Sequence, residues 1–361
     1  MANSANTFLF IPDISGFTEF VNSTELDHSK HIISELLEII INNDTLGLTI
    51  SEIEGDAVLF YKKEIPPVEK IISQAEKMFV AFHNHLKRYE TDRICRCGAC
   101  RTASGLSLKF IAHAGDIQFI EVKEFKKLHG ADNILVHKLL KNSIPEHEYL
   151  LLSDSFDINA NDAKLVKDFS WAQFEGGKTN YKNVGEITYK YISLNPLHKM
   201  VTEWKVSDLP KWSATRIQLT TIIDAPVDVV YENITNLEIR QLWNKNIREI
   251  KRNDNKLLKV GTKHGCIVNA GELEIEALGR KENKNEIVFG EHFDAFNGLS
   301  NVNRFFRLKG HGNHVHLNFE IDFKLDWKIA KIFRPVWILM LKWQSKKELG
   351  MLKKYSESNR S

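Results

Sequence analysis

Phe8-Leu9-Phe10-Ile11-Pro12-Asp13-Ile14-Ser15-Gly16-Phe17-Thr18 runs an apolar segment into a carboxylate and places a glycine three residues later. Such a run reads as a buried strand whose end comes close to a ligand, because glycine lets backbone turn and approach where other residues cannot. A second stretch, Glu52-Ile53-Glu54-Gly55-Asp56-Ala57-Val58-Leu59-Phe60, again sets a glycine beside an aspartate. The interval between them is that of a strand, a helix and a hairpin, so a folded sheet can bring Asp13 and Asp56 to one point. Two carboxylates at one point make a hard-oxygen site for Mg²⁺ or Mn²⁺, the ions that escort nucleotide phosphates. Taken singly, Asp13 would cap a helix and Asp56 would sit in a turn. Their joint occurrence points to a site.

Working outward, residues 7–14 alternate as a strand and 29–43 carry a helical apolar stripe. Segments 46–53 and 56–62 read as a hairpin turning at Glu54-Gly55. A helix over 66–90 opens on Pro66-Pro67 and gathers Ile71, Ile72, Ala75, Met78, Phe79, Phe82 and Leu86 on one face. Strands at 106–112, 115–122, 149–153 and 186–194, with a helix at 130–142, complete a first α/β unit. A Pro- and Trp-containing connector separates it from a second unit. That unit opens with a strand over 215–223, where Asp224 is placed to cap and Pro226 to begin a helix. A short helix over 237–243 follows, then strands at 264–269, 272–280, 285–292, 301–308 and 313–324. A long helix over 327–355 closes it, with Ile329, Ile332, Phe333, Val336, Met340 and Trp343 on one stripe. One strand, two helices, an antiparallel sheet and a closing helix build a curved sheet that grips a helix.

A length of 361 residues exceeds one ordinary core, so two domains are expected. Hydrophobic content of 43% and charged content of 27% describe a globular chain, and a formal charge of +2 gives no electrostatic case for nucleic acid. No window has the roughly 18–20 apolar residues of a membrane span, and the N-terminus lacks a signal-peptide pattern, so a cytoplasmic location is expected. Four cysteines, three of them between 95 and 100, do not make a secreted disulfide framework.

Phe10-x-x-Asp13-Ile14-x-Gly16-Phe17-Thr18 resembles the first metal motif of class III nucleotide cyclases, and Gly55-Asp56 resembles their second. The resemblance covers about residues 5–195. The unit at 214–357 resembles the START-like helix-grip family of polyketide cyclases and lipid carriers, by element order and its strand-Asp-Ala-Pro-helix opening. Together they imply an α+β chain: a ferredoxin-like cyclase domain over 1–195, a linker over 196–213 and a helix-grip domain over 214–361. The cyclase resemblance implies that Asp13 and Asp56, helped by the Ile14 carbonyl, hold two Mg²⁺ or Mn²⁺ ions. It implies that Ser15, Gly16, Phe17 and Thr18 receive the phosphates of a nucleoside triphosphate. Glu52 falls at the base-selecting position, where glutamate resembles guanylyl cyclases; it also reads as a solvent-facing charge on a strand. Lys127 falls at the second base-reading position, and Lys182 resembles the late phosphate-facing lysine. Because the family's sites form between two chains, the resemblance implies a homodimer or a further partner chain.

The later catalytic helix departs from that pattern. Where the family has Trp-Gly-x-x-Val-Asn-x-x-x-Arg, this chain has His129-Gly130-Ala131-Asp132-Asn133-Ile134-Leu135-Val136-His137-Lys138. Ile134 takes the Asn position and Lys138 the Arg position, and Asn133 is turned away by about 100° of helix. Losing one transition-state donor costs roughly 10²–10³-fold in rate. The expected behaviour is therefore a degenerate metal- and nucleotide-binding module beside a domain for a small hydrophobic ligand. The alternatives are an active, guanylyl-like cyclase regulated by that ligand, or an enzyme acting on a hydrophobic substrate in the helix-grip cavity.

Cys95-Arg96-Cys97-Gly98-Ala99-Cys100 offers three thiolates on a tight turn as candidate zinc ligands, with His83, His85 or Cys266 as fourth. Arg93, Arg96 and Arg101 would favour thiolates and open a redox reading instead. Phe289, Phe293, Phe296, Phe305, Phe319, Trp337 and Trp343 either line the second domain's cavity or fill its core. His264, Glu274, Glu276, His292, Arg304, His314 and His316 show no spacing that defines an acid-base pair.

Overall fold

In a computed structural model, the structure describes residues 6–22, 26–158, 163–202, 216–251, 259–268, 271–283, 285–296, 299–325 and 334–360. They form two compact units, Met1–Tyr89 with Arg101–Trp204, and Glu90–Cys100 with Lys205–Ser361. The eleven residues 90–100 thus pack with the second unit although their sequence neighbours belong to the first. The fold class is α+β, as expected.

The first unit strings β1 (Asn6–Ser15), α1 (Phe17–Asn22), α2 (Leu26–Asn42), β2 (Thr49–Glu54), β3 (Ala57–Lys62) and α3 (Val68–Asp92). After α4 (Gly98–Thr102) come β4 (Ser107–Asp116), β5 (Gln118–Val122), β6 (Phe125–His129), α5 (Ala131–Leu139), β7 (Tyr149–Ser153), α6 (Ala163–Asp168), β8 (Phe174–Tyr181) and β9 (Gly185–Ser193). Its sheet runs β2-β3-β1-β4-β7-β9-β8, with β5 and β6 as a separate hairpin. β1 is central because Phe8, Leu9, Phe10 and Ile11 are buried on both faces. The apolar stripe of α3 is buried along its length, from Ile71 to Leu86. The first hairpin turns at Gly55-Asp56, one residue later than expected, and strands β6 and β8 were not foreseen.

The second unit places β10 (Arg216–Ile223), α7 (Val227–Thr235), α8 (Leu237–Trp243), β11 (Ile247–Lys251), β12 (Lys263–Val268), β13 (Gly271–Glu282), β14 (Ile287–Phe296), β15 (Leu299–His311) and β16 (His314–Leu325) before a closing helix, α9 (Arg334–Ser358). Its sheet is antiparallel throughout, in the order β10-β16-β15-β14-β13-β12-β11. This is a helix-grip arrangement, with α9 packed on β10 and α7. Pro226, not Asp224, precedes α7, without a side-chain cap, whereas Asn236 caps α8 through the amides of Glu238 and Ile239.

The stripe expected on the closing helix is not its buried face. Val336, Met340 and Trp343 are exposed, and Ile329, Ile332 and Phe333 lie outside the described residues. The buried line is Ser345, Leu349, Leu352 and Ser356. Small serines allow close packing there, and Ser356 Oγ accepts a hydrogen bond from Asn233 Nδ2 at 3.0 Å. Among the described residues, no helix is long and apolar enough to cross a membrane.

Candidate functional site

β1 lies between β3 and β4, and its register sets Asp13 opposite Ala57 on one side and Lys109 on the other. The hairpin turn is tied to the same strand end, since the Ile14 amide donates to the Asp56 carbonyl at 3.1 Å. Gly55, with φ of +64°, holds the first of two turn positions, where a type II′ turn requires glycine. Gly16, with φ of +87°, reverses the chain from β1 into α1. Phe17 then lies over the turn, its Cε1 3.9 Å from where a Cβ on Gly55 would stand. The two glycine-flanked motifs are in this way fastened to each other.

Their carboxylates sense one another. The Asp56 carboxyl is pushed up to about 6, first by burial and then by the negative charge of Asp13; its own backbone bond and Lys109 pull the other way. Lys109 Nζ stands 3.0 Å from Asp13 Oδ2. Ala57, Asp13 and Lys109 form a cross-strand row, and Tyr149 on β7 continues it. The Tyr149 phenol is pushed up to about 12, chiefly by burial, with Asp13 contributing. One ammonium thus faces two hard carboxylates, and the Ser15 hydroxyl beside them is buried without a hydrogen-bond partner. That donor set fits Mg²⁺ or Mn²⁺.

The two base-reading candidates also meet. Lys127 Nζ lies 3.1 Å from Glu52 Oε2, and this bond pushes the lysine up. The second Glu52 oxygen is buried with no hydrogen-bond partner. Glu52, Glu54 and His137 bring ligand atoms within 4.8 Å of one another. Helix α5 is held by Asp132, which accepts from the Asp116 amide at 2.7 Å and meets His113 Nε2 at 3.1 Å. It crosses so near Gly115 that a Cβ there would lie 2.2 Å from Asp132 Cγ. From this helix Ile134 projects into solvent at 57% exposure, and Asn133 turns back to the Leu128 carbonyl. Lys138 donates to the carbonyl of Lys182 at 2.7 Å, so its ammonium is engaged away from the carboxylates. Lys182 itself is exposed after β8, and Thr18 is exposed on α1.

A family described as "Protein of unknown function (DUF2652)" matches residues 33–149. The uncharacterized protein Rv2561/Rv2562 of Mycobacterium tuberculosis is 33% identical over 164 residues, which is 45% of this chain and 73% of that protein. The chain belongs to the family of Rv2561/Rv2562. Among solved structures, the Rv2561/Rv2562-family chain is similar to the guanylate cyclase domain of RhGC from Catenaria anguillulae in complex with GTP. That likeness is at 15% identity over 53% of this chain and 97% of that one, with a TM-score of 0.36. It is also similar to a norcoclaurine synthase point mutant from Thalictrum flavum, at 10% identity over 42% and 99% of the two chains, with a TM-score of 0.34.

Several polar clusters of this family member were not read from sequence. Lys109 and Tyr149 are one case, although a lone lysine within Leu108-Lys109-Phe110-Ile111-Ala112 was an available signal. Another is a buried clamp in the first unit, where Glu148 takes His83 Nε2 at 2.9 Å and His198 Nε2 at 2.6 Å. Burial works to raise the Glu148 carboxyl, but these bonds outweigh it and hold it below its usual range. His83 is thereby committed, His85 contacts Glu35 at 3.0 Å, and Cys266 is buried on β12. Among the described residues, the ligand group at the cysteine turn comprises Cys95, Cys97 and Cys100. A pocket of ≈ 640 Å³ opens at the end of β7, lined by Ser153, Asp154, Asp157, Lys178, Tyr189 and Lys190 among others, and none of the proposed nucleotide residues lines it.

In the second unit Phe289, Phe305, Phe306 and Phe319 are each 1% exposed and fill the core. Phe289, Phe306 and Phe319 pack in series with centroids 6.2 and 4.8 Å apart. Phe293 is also buried and Trp337 packs against this core, whereas Trp343 is exposed; the Phe296 side chain lies outside the described residues. Buried among them is the Arg240–Glu291 ion pair, bidentate with one contact at 3.0 Å, and Arg304 reaches Glu348 on α9 at 2.6 Å. Burial would raise the Glu291 carboxyl, and Arg240 overrides it. Of the titratable residues considered from sequence, Arg304 enters this network, and Glu274 forms a surface pair with Lys263 at 2.9 Å.

Proposed function

We propose that the first unit is a divergent nucleotide-cyclase-like module that binds a nucleoside triphosphate with Mg²⁺ or Mn²⁺, in a cytoplasmic homodimer. The observation that carries this reading is geometric: β1–β3 register sets Asp13 opposite Ala57, next to Asp56, and the Ile14 amide donates to the Asp56 carbonyl at 3.1 Å. Asp13, Asp56 and the Ile14 carbonyl would hold the ion, which supplies Lewis-acid polarisation of phosphate oxygens. Ser15, Gly16 and Phe17 would receive phosphate oxygens through backbone amides, and Thr18 would border them. Lys109 pairs with Asp13 at 3.0 Å and would compete with a bound ion for it. Glu52 and Lys127 would contact the base, and Lys182 the phosphates. Ile134 offers no hydrogen bond to a ribose, and Lys138 is turned to a carbonyl, so binding is supported better than turnover. Exposed Ile120 and Val122, on the hairpin that carries Lys127, and Ile134, on the helix that carries His137, offer apolar surface for a second copy.

The second unit is proposed to take a small hydrophobic ligand between its sheet and α9. The runner-up is an active guanylyl-like cyclase, favoured by the unbonded Glu52 oxygen, which could accept from a guanine edge. Product analysis after incubation with ATP, GTP, CTP and UTP plus Mn²⁺ separates the two. Nucleotide binding without product, lost in Asp13→Ala and Asp56→Ala, fits the divergent module. A cyclic product that disappears in both variants makes the chain an enzyme, and no nucleotide binding at all removes both readings.

A further inference from the structure

The segment 90–100 is a strap built into the second unit. Asp92 accepts from the Val260 amide at 3.0 Å, Arg93 bridges Lys259, and Ile94 is fully buried in that unit's core. Tyr231 Oη donates to the Ile94 carbonyl at 2.7 Å. Arg96 spans Asp228 and Glu282, reaching Glu282 at 2.8 Å, and Arg93 Nη1 donates to the Cys100 carbonyl at 2.7 Å. A strap held at so many points fixes the directions of its remaining side chains. Among these are Cys95, Cys97 and Cys100, none of them in a disulfide, with sulfurs within 4.8 Å of one another.

Two backbone amides point at these sulfurs: Cys97 N to Cys95 Sγ at 3.3 Å, and Cys100 N to Cys97 Sγ at 3.4 Å. Such N–H donors favour the thiolate and aim each sulfur at a common centre. Tetrahedral coordination at a Zn–S length of about 2.3 Å sets sulfurs about 3.8 Å apart, inside the 4.8 Å within which the three sulfurs already lie. Cys100 is buried while Cys95 and Cys97 are half-buried, so one side of the cluster stays reachable.

We propose that Cys95, Cys97 and Cys100 form a three-thiolate site for one Zn²⁺, with the fourth position open to water or an exchangeable ligand. Binding would release the thiol protons to solvent, and three thiolates with Zn²⁺ carry one net negative charge beside Arg96 and Arg93. Soft sulfur donors separate this site from the hard carboxylates of Asp13 and Asp56. The proposal therefore stands independently of the nucleotide reading. Its consequence is a metal clip that closes the turn of the strap, Cys95 to Cys100, on itself.

The full-length chain, reduced and stripped with a chelator, is titrated with Co²⁺ and then Zn²⁺. One equivalent of Co²⁺ should give thiolate-to-cobalt charge transfer and the intense visible bands of a tetrahedral ion, both bleached by one equivalent of Zn²⁺. Zn²⁺ should also shield the three strap cysteines from alkylation, read peptide by peptide by mass spectrometry. Asp13→Ala should leave these signals unchanged, whereas Cys95→Ser should weaken Zn²⁺ binding by more than the roughly 10–100-fold typical of losing an outer partner. Absence of thiolate charge transfer, equal alkylation with and without Zn²⁺, or recovery of a strap disulfide in place of metal would each overturn the proposal. The alkylation arm uses the unaltered chain, so a misfolded variant cannot decide the outcome.

Discussion

Replacing Asp56 with Asn should stabilise the metal-free first unit. The Asp56 carboxyl sits near 6 in the folded chain against an ordinary 3.8, because it is buried and faces Asp13. A carboxyl raised on folding favours the protonated state, so its contribution is intact below about pH 4 and is lost as pH rises through 6. At 1.36 kcal/mol per pH unit, that shift opposes folding by about 3 kcal/mol near neutrality. Asp56 is only half-buried and solvent screens its charge, so about 1.5 kcal/mol is the expected gain from Asp56→Asn. The gain should shrink by roughly half near pH 5 and vanish below pH 4. Urea titration with chelator present, read by hydrogen exchange in peptides of β1 and β3, isolates the first unit from the second. Adding Mn²⁺ should reverse the ranking, because the ion stabilises the wild type and has lost one ligand in the variant. A loss of stability at neutral pH without metal, or a gain that does not change with pH, would refute the facing-carboxylate geometry.

Lys109→Met removes the ammonium that competes for Asp13, and Mn²⁺ binding followed by electron paramagnetic resonance should tighten by roughly 10-fold. Glu148→Gln should destabilise the first unit by roughly 2–3 kcal/mol in urea titrations. Because Glu148 is held below its usual 4.5, the difference from wild type should be full above that pH and close on further acidification. Arg240→Met alone should cost the second unit about 3–5 kcal/mol by leaving Glu291 buried and unpaired, while Arg240→Met with Glu291→Leu should recover most of it in thermal unfolding. Ile134→Asn with Lys138→Arg restores two donors, and cyclic-nucleotide yield with Mn²⁺ should rise by at least about 10²-fold if the proposed site binds nucleotide productively.

Local patterns were enough to find the first strand, the hairpin carrying Asp56, the buried stripe of α3 and the order of the second unit's elements apart from β11. Burial of one face writes a period of 2 or 3.6 into the chain, and glycines at Gly16 and Gly55 mark turns that need positive φ. Asp13 and Asp56 were each legible as a carboxylate near a glycine, but their approach was decided by the pairing of β1 with β3 across the intervening α1, α2 and β2. The closing helix shows where this reasoning stops, because Val336, Met340 and Trp343 face solvent while serines at 345 and 356 pack inward. Periodicity says that a face is buried or free only once its partner is known. Lys109 against Asp13, Lys127 against Glu52, His83 and His198 on Glu148, and Arg240 against Glu291 join residues distant in sequence through sheet register and helix placement. The three cysteines were visible as a motif, but their seat in the second unit was decided by the hydrogen bonds and buried Ile94 that hold the strap there. The sequence by itself determined the elements and the chemistry available at their ends. Tertiary structure decided which charges meet, because that depends on contacts between segments whose spacing along the chain carries no record of their distance in space.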